Sequence, residues 1–287
     1  MLDFIYPVIL IVCLLSILWL FLKPKKVHEV HYLIHKNKQK ILDISKAYDL
    51  YAEASHLVIA QFSDTHFGRR RKPHLINPLI RSTIIRQPDV IVMTGDLIDD
   101  YARWPHRQTH LLTEKLKRFN APLGTFAVLG NQDYVNNGQY FVKEVLKEGQ
   151  FTPLINEETF VIREDVSLRI VGLDDTLVGK PMYDFEKKIA TWQVLLVHEA
   201  HHVERVANLT DYDLILTGHP VKPGTKHSKD VSVKFTHGLY QIGKKTLLSI
   251  YPGLMNRRFF APKPMIYYYH LAPETKKKTP TNLRARS

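Results

Sequence analysis

Near the start of the chain, positions 4–22 read FIYPVILIVCLLSILWLFL, nineteen residues without a formal charge. As a helix rising ~1.5 Å per residue this run is ~28 Å long, close to the ~30 Å hydrocarbon core of a bilayer. It predicts one uncleaved transmembrane helix, because no A-x-A-like cleavage pattern follows and Lys23, Lys25 and Lys26 come directly after it. No Lys or Arg precedes the run, so the positive-inside rule puts the N-terminus outside and the soluble part in the cytoplasm, as a single-pass protein of the cell membrane. Residues 23–56 scatter His28, His31, His35 and several lysines among apolar positions at no clear period. They read as a juxtamembrane linker with local structure, either amphipathic helix or strand plus loop, and solvated histidines.

From residue 57 the pattern changes. Short β-rich runs end in polar residues and give way to helical patterns: LVIAQF then SDTH, DVIVM then TGD, TFAVL then GNQD, QVLLV then HEAHH, DLILT then GH. Such alternation predicts an α/β domain, and near-continuous apolar strands such as DVIVM imply a sheet covered on both faces. The later runs VSVKFTH, LYQIG, KTLLSIYP and PMIYYYHL have turn signals but no helices between them, which predicts a second sheet packed on the first. The domain is placed at 57–272, with a basic, disordered tail at 273–287.

The chain has 287 residues, 40 Lys and Arg against 28 Asp and Glu, and one cysteine. Cys13 lies within the apolar run, which excludes a disulfide scaffold and a Cys-rich zinc site. The excess of +12 attracts polyanions. By position it flanks the apolar run, fills the tail and forms the run Arg69, Arg70, Arg71, Lys72 after the first strand; no nucleic-acid reader motif accompanies it. An anionic membrane and a phosphorylated substrate or lipid headgroup are therefore the expected partners, with Arg69 and Arg70 the candidate substrate-binding residues and a solvated basic loop the plainer alternative.

Ligands of open α/β sheets bind at the carboxyl ends of strands. Here five strand ends carry Asp64 and His66, Asp96, Asn131, His198 and His219. Singly, each reads as a helix cap or a structural hydrogen-bonding residue. Together, carboxylate, imidazole and amide oxygen suit borderline divalent ions such as Mn, Zn or Fe, and one shared carboxylate can hold two ions ~3.5–4 Å apart. The set predicts a dinuclear centre. Asp99 and Asp100 read as helix-start or supporting groups, Asp174 and Asp175 as braces of a loop.

At these residues the chain resembles the calcineurin-like metallophosphoesterases, and most closely a membrane-anchored bacterial subgroup. Their pattern is D-x-H, G-D, G-N-H-[DE], H, G-H-x-H; here it reads Asp64-Thr65-His66, Gly95-Asp96, Gly130-Asn131-Gln132-Asp133, His198 and Gly218-His219-Pro220-Val221. The resemblance implies a four-layer α/β/β/α sandwich of two packed sheets. It also implies two divalent ions, one on Asp64, His66 and Asp96, the other on Asp96, Asn131, His198 and His219, with Asp96 bridging. The implied reaction is attack of a metal-bound hydroxide on a phosphodiester or pyrophosphate, including lipid-linked ones. Two positions depart from the pattern. Gln132 stands where the family has a histidine thought to act in catalysis, and can donate a hydrogen bond but not deliver a proton; such a loss costs ~10²- to 10⁴-fold. Val221 replaces a histidine ligand of the first metal, with water, His227 or His237 as candidate substitutes. These departures keep two function classes open: a metal-dependent phosphoesterase, and a catalytically degenerate phospho-ligand binding or scaffold protein at the membrane.

Overall fold

The computed structural model describes residues 27–36, 42–43, 57–219, 237–243, 245–254 and 264–272. The apolar run, Val221, His227 and the basic tail lie outside the described residues. Among the described residues no helix is long and apolar enough to cross a membrane.

Two mixed β-sheets form the domain. In chain order the strands are β1 (His28–His35), β2 (Leu42–Asp43), β3 (Leu57–Phe62), β4 (Val90–Thr94), β5 (Thr125–Val128), β6 (Thr152–Pro153), β7 (Glu157–Arg163), β8 (Val166–Gly172), β9 (Trp192–Glu199), β10 (Leu214–His219), β11 (Gly238–Ile242), β12 (Thr246–Ile250) and β13 (Met265–Ala272). The first sheet has the order β2-β1-β13-β3-β4-β5-β6 and the second β11-β12-β10-β9-β8-β7. The helices α1 (Asn77–Arg86), α2 (Thr109–Leu116) and α3 (Gly138–Glu148) join the successive parallel strands β3, β4, β5 and β6. Right-handed crossovers put all three on one face of that sheet. α3 shows how the local sequence does this: Val142, Val145 and Leu146 are buried at i, i+3 and i+4, each worth roughly 1.5–3 kcal/mol over exposure.

The second sheet covers the other face of the first, and a buried polar seam sets how the two meet. Gln61 on β3 donates to Thr94 Oγ1 on β4 (2.9 Å) and to the Thr217 carbonyl on β10 (3.0 Å). Its Oε1 accepts from Tyr269 on β13 at 2.6 Å, and Tyr269 OH lies 2.6 Å from Ser249 Oγ on β12. A buried network with its partners in place tolerates no slip, since each broken bond would strand a desolvated group. The seam thus brings the carboxyl ends of β3, β4 and β5 in one sheet and of β9 and β10 in the other to one place.

Two expectations are corrected. QVLLV and DLILT, read with the first-sheet strands, are β9 and β10 of the second sheet, and PMIYYYHL is β13, the partner of β3 in the first. Part of the expected linker is sheet: β1 pairs with β13 along its whole length, and His31 is buried, stacked on Tyr268 at 4.7 Å and 3.1 Å from His270. Burial between aromatic strands, not charge, decides that segment. The outer face of the second sheet is covered, among the described residues, by 3₁₀ turns at Ala200–Arg205 and Leu209–Asp211 and by Tyr183 and Phe185. Val203 and Val206, both buried, are three apart, the spacing that a 3₁₀ turn aligns on one side.

Candidate metal centre

The loops after β3 and β4 are zipped together beyond the last strand residues. Asp64 N donates to Gly95 O (3.1 Å), His66 N to Asp96 O (3.0 Å) and Phe67 N to Leu97 O (2.9 Å). Thr65 Oγ1 adds a bond to Leu97 O at 2.8 Å and Ser63 Oγ one to Thr94 O at 2.9 Å. This lattice holds Asp64, His66 and Asp96 in the left-handed region, at φ of 55°, 48° and 56°. Non-glycine residues enter that region at a cost of order 1 kcal/mol, which short polar side chains bear best. The turned backbone aims all three side chains inward, with ligand atoms within 4.8 Å of one another.

His66 Nε2 lies 3.8 Å from Asp64 Oδ1 and 3.6 Å from Asp96 Oδ2, while its Nδ1 faces Asp99 Oδ1 at 3.0 Å. Asp99 thus sets a carboxylate charge behind the ring. From the second sheet His198, fully buried, brings Nε2 to 3.4 Å from Asp96 Oδ2. Its Nδ1 bonds the Thr94 carbonyl at 2.6 Å, which requires the proton on Nδ1. β10 sets His219 opposite Glu199, the residue after His198.

Buried acceptors without donors mark the centre. Asp64 Oδ2, Asp96 Oδ2 and Asn131 Oδ1 are buried and accept no hydrogen bond. Leaving such atoms unmatched costs ~1–3 kcal/mol each, more when charged, unless a cation satisfies them. Two glycines keep the space open: a Cβ on Gly130 would lie 2.3 Å from Asp96 Oδ1 and 2.8 Å from His198 Cε1, and one on Gly95 would lie 2.4 Å from His198 Nδ1. Hard carboxylate and amide oxygens beside imidazole nitrogen fit a divalent ion. The Asp64, His66 and Asp96 cluster is therefore a metal-binding group.

Electrostatics point the same way. Burial, and then the Asp96 charge, push Asp64 above the ordinary carboxylate value. Burial acts upward on Asp96 too, yet His198, His66 and the Gln132 backbone amide (2.9 Å to Oδ1) hold it below the usual range. His198 is desolvated, but Asp96 raises it well above an ordinary imidazole. Two carboxylates and two imidazoles so close strongly shift one another's proton affinities.

Several contributors escape a reading of single strand ends. Asp133, whose spacing after Gly130 is that of a capping box, accepts from Gly130 N (3.0 Å) and from Ile98 N (3.1 Å), tying the β5 loop to the β4 loop. Burial and the nearby Asp96 push it up to about 7. Asp100 caps a 3₁₀ turn through Ala102 N. Asp174 braces its loop as expected, accepting from Asp175 N, Lys180 N and the Tyr134 hydroxyl. Beside the cluster opens a cavity of about 610 Å³ lined by Gly68, Arg69, Arg70, Asp99, Asp100, Arg103, Gln132 and Val135. Arg69, Arg70 and Gln132 line this space, and Arg103 joins from a turn with no sequence signal.

The calcineurin-like phosphoesterase family model matches residues 57–223. The uncharacterized metallophosphoesterase YkuE of Bacillus subtilis is 29% identical over 237 residues, 74% of this chain and 78% of that protein. The uncharacterized metallophosphoesterase Cj0846 of Campylobacter jejuni is 28% identical over 73% of this chain and 58% of its own length. The UDP-2,3-diacylglucosamine pyrophosphatase LpxG of Chlamydia muridarum is 36% identical over a shorter stretch, 29% of this chain and 25% of its own. With its Asp-His-Asp cluster at the joined strand ends, this chain belongs to the calcineurin-like phosphoesterase family.

Proposed function

We propose that the chain is a membrane-anchored, metal-dependent phosphoesterase that hydrolyses a phosphodiester or pyrophosphate, with a lipid or lipid-linked phosphate as the substrate class. The observation that carries this is the convergence of donor-less buried acceptors on Asp64, Asp96 and Asn131 beside a cavity rimmed by arginines. In this reading Asp64, His66 and Asp96 hold one ion, Asp96, Asn131, His198 and His219 hold another, and Mn, Zn or Fe fills the sites. Such ions lower the pKa of a water and neutralise charge on phosphoryl oxygens. The similarity to a pyrophosphatase of a diacylated sugar nucleotide supports the substrate class, and the uncharged run at 4–22 supports an anchor with the domain on the cytoplasmic side.

The chain's own residues divide the remaining work. Asp96 has Oδ1 tied to the Gln132 amide, so Oδ2 is the oxygen it offers. Asp99 sets its charge 3.0 Å behind His66 Nδ1, opposite the nitrogen that faces the cluster. Arg69, Arg70 and Arg103 give planar donors for phosphate oxygens around the cavity. Gln132 has an amide to steady a phosphoryl oxygen and no proton to give a leaving group, so good leaving groups are the natural substrates. That same glutamine, with Val221, favours a second reading, a phospho-ligand binding protein without turnover. One experiment separates them: the purified full chain with Mn²⁺ hydrolyses an activated aryl phosphodiester, and Asp96→Asn abolishes it. Phosphate-ester binding with no Asp96-dependent turnover under any divalent ion would establish the second reading.

A further inference from the structure

The register of the first sheet fixes the point at which the chain enters the domain. β1 runs parallel to β13 with His28 beside Met265, and β13 runs antiparallel to β3 with Tyr267 beside Gln61. The first residue of β1 therefore stands at the carboxyl end of β3, the end that leads into Asp64 and His66. The uncharged run ends at Leu22, six Cα steps before His28. In any conformation, six steps of at most ~3.6 Å span no more than about 22 Å. A bilayer that holds the run therefore lies within that reach of the first residue of β1, which stands at the metal-centre end of the sheet.

That end is also the cationic one. Arg69, Arg70, Arg71 and Lys72 directly follow the loop of Asp64 and His66, and Lys23, Lys25 and Lys26 fall in the connecting steps. Arg86 is spent on Glu29, whereas Arg69, Arg70 and Arg103 are exposed at the cavity rim. Of the acids there, Asp99 faces His66, and Asp100 faces Arg103 at 3.3 Å while capping its turn. Connection length and charge select the same surface.

Resting on the phosphoesterase and anchor readings above, we propose that the rim formed by Arg69, Arg70 and Arg103 docks on an anionic lipid bilayer, the one that holds the apolar run, so that the cavity opens onto lipid headgroups. The test uses the full chain carrying Cys13→Ser, with a single fluorescent label at Ala102→Cys, beside Arg103, or at Asn120→Cys, at the amino end of β5. Each is reconstituted into phosphatidylglycerol and phosphatidylcholine vesicles containing a lipid with a spin-labelled headgroup. The proposal expects quenching several-fold stronger at Ala102 than at Asn120, with the difference shrinking in pure phosphatidylcholine and in Arg69→Gln/Arg70→Gln/Arg103→Gln. Equal quenching, stronger quenching at Asn120, or failure of the chain to float with vesicles in high salt overturns it. Turnover of a water-soluble aryl diester on the same vesicles reads the phosphoesterase independently: its absence with the quenching contrast intact counts against that reading and upholds the docking surface.

Discussion

Asp175→Asn should stabilise the protein in alkali, by an amount that follows from one buried acid pair. Asp175 and Glu199 are both fully buried. Asp175 Oδ1 accepts from Leu177 N (3.0 Å) and Val178 N (2.8 Å), and Glu199 Oε2 accepts from Thr176 N (3.0 Å) and its hydroxyl (2.6 Å). Burial and then the bond to Glu199 push Asp175 up to about 8, while Glu199, despite its burial, is held low by His198. Asp175 is therefore held as the neutral acid beside the Glu199 carboxylate, and Asp175 Oδ2 and Glu199 Oε1 are the two oxygens of the pair without another donor. The unfolded chain releases this proton near 3.8 and the folded one near 8, so the folded state binds more protons between those values. Its contribution is greatest below the unfolded value and is lost as pH rises to about 8. From about pH 6 to 8 the loss is ~2 units at ~1.4 kcal/mol each, or ~3 kcal/mol. Asparagine keeps the acceptor for both backbone amides and supplies a donor at every pH. At ~2–4 °C per kcal/mol, the melting temperature of Asp175→Asn should gain roughly 6–12 °C on wild type across that interval. The assay is thermal unfolding of both full chains, followed by tryptophan fluorescence at about pH 6 and 8. A difference that does not change with pH would refute the neutral-acid account.

Other perturbations probe the metal centre. Gly130→Ala puts a methyl 2.3 Å from Asp96 Oδ1, and calorimetric titration with Mn²⁺ should show binding weakened at least ~10-fold while far-ultraviolet circular dichroism is unchanged. Asp99→Ala removes the group behind His66 Nδ1, and the same titration should show a loss of ~10- to 100-fold. Gln132→His restores a proton donor beside the cavity, so kcat for alkyl phosphodiesters should rise more than for aryl ones; equal gains would remove the missing-acid argument.

The candidate site was legible because its chemistry sits at strand ends, where apolar runs stop and polar residues begin. DVIVM and QVLLV announce Asp96 and His198 wherever their strands lie, but their assignment to different sheets was not legible. Both runs are equally apolar, and only long-range pairing and the seam through Gln61 and Tyr269 separate them. β1 was hidden for the converse reason. Its histidines and Glu29 look solvated in sequence, yet Glu29 is bonded by Ser82 and by Arg86, 57 positions away. Asp133 shows the boundary within one residue: its bond to Gly130 follows from local spacing, whereas its bond to Ile98 exists only because two loops meet. Arg103 reaches the cavity from a 3₁₀ turn, too short to announce itself by period.

The most direct test of a shared Asp96 centre is the metal content of the purified full chain after equilibration with Mn²⁺ and removal of free ion, beside that of Asp96→Asn. The account predicts two ions per chain in the wild type and at most one in the variant. No bound ion in the wild type, or a content that Asp96→Asn leaves unchanged, would contradict it.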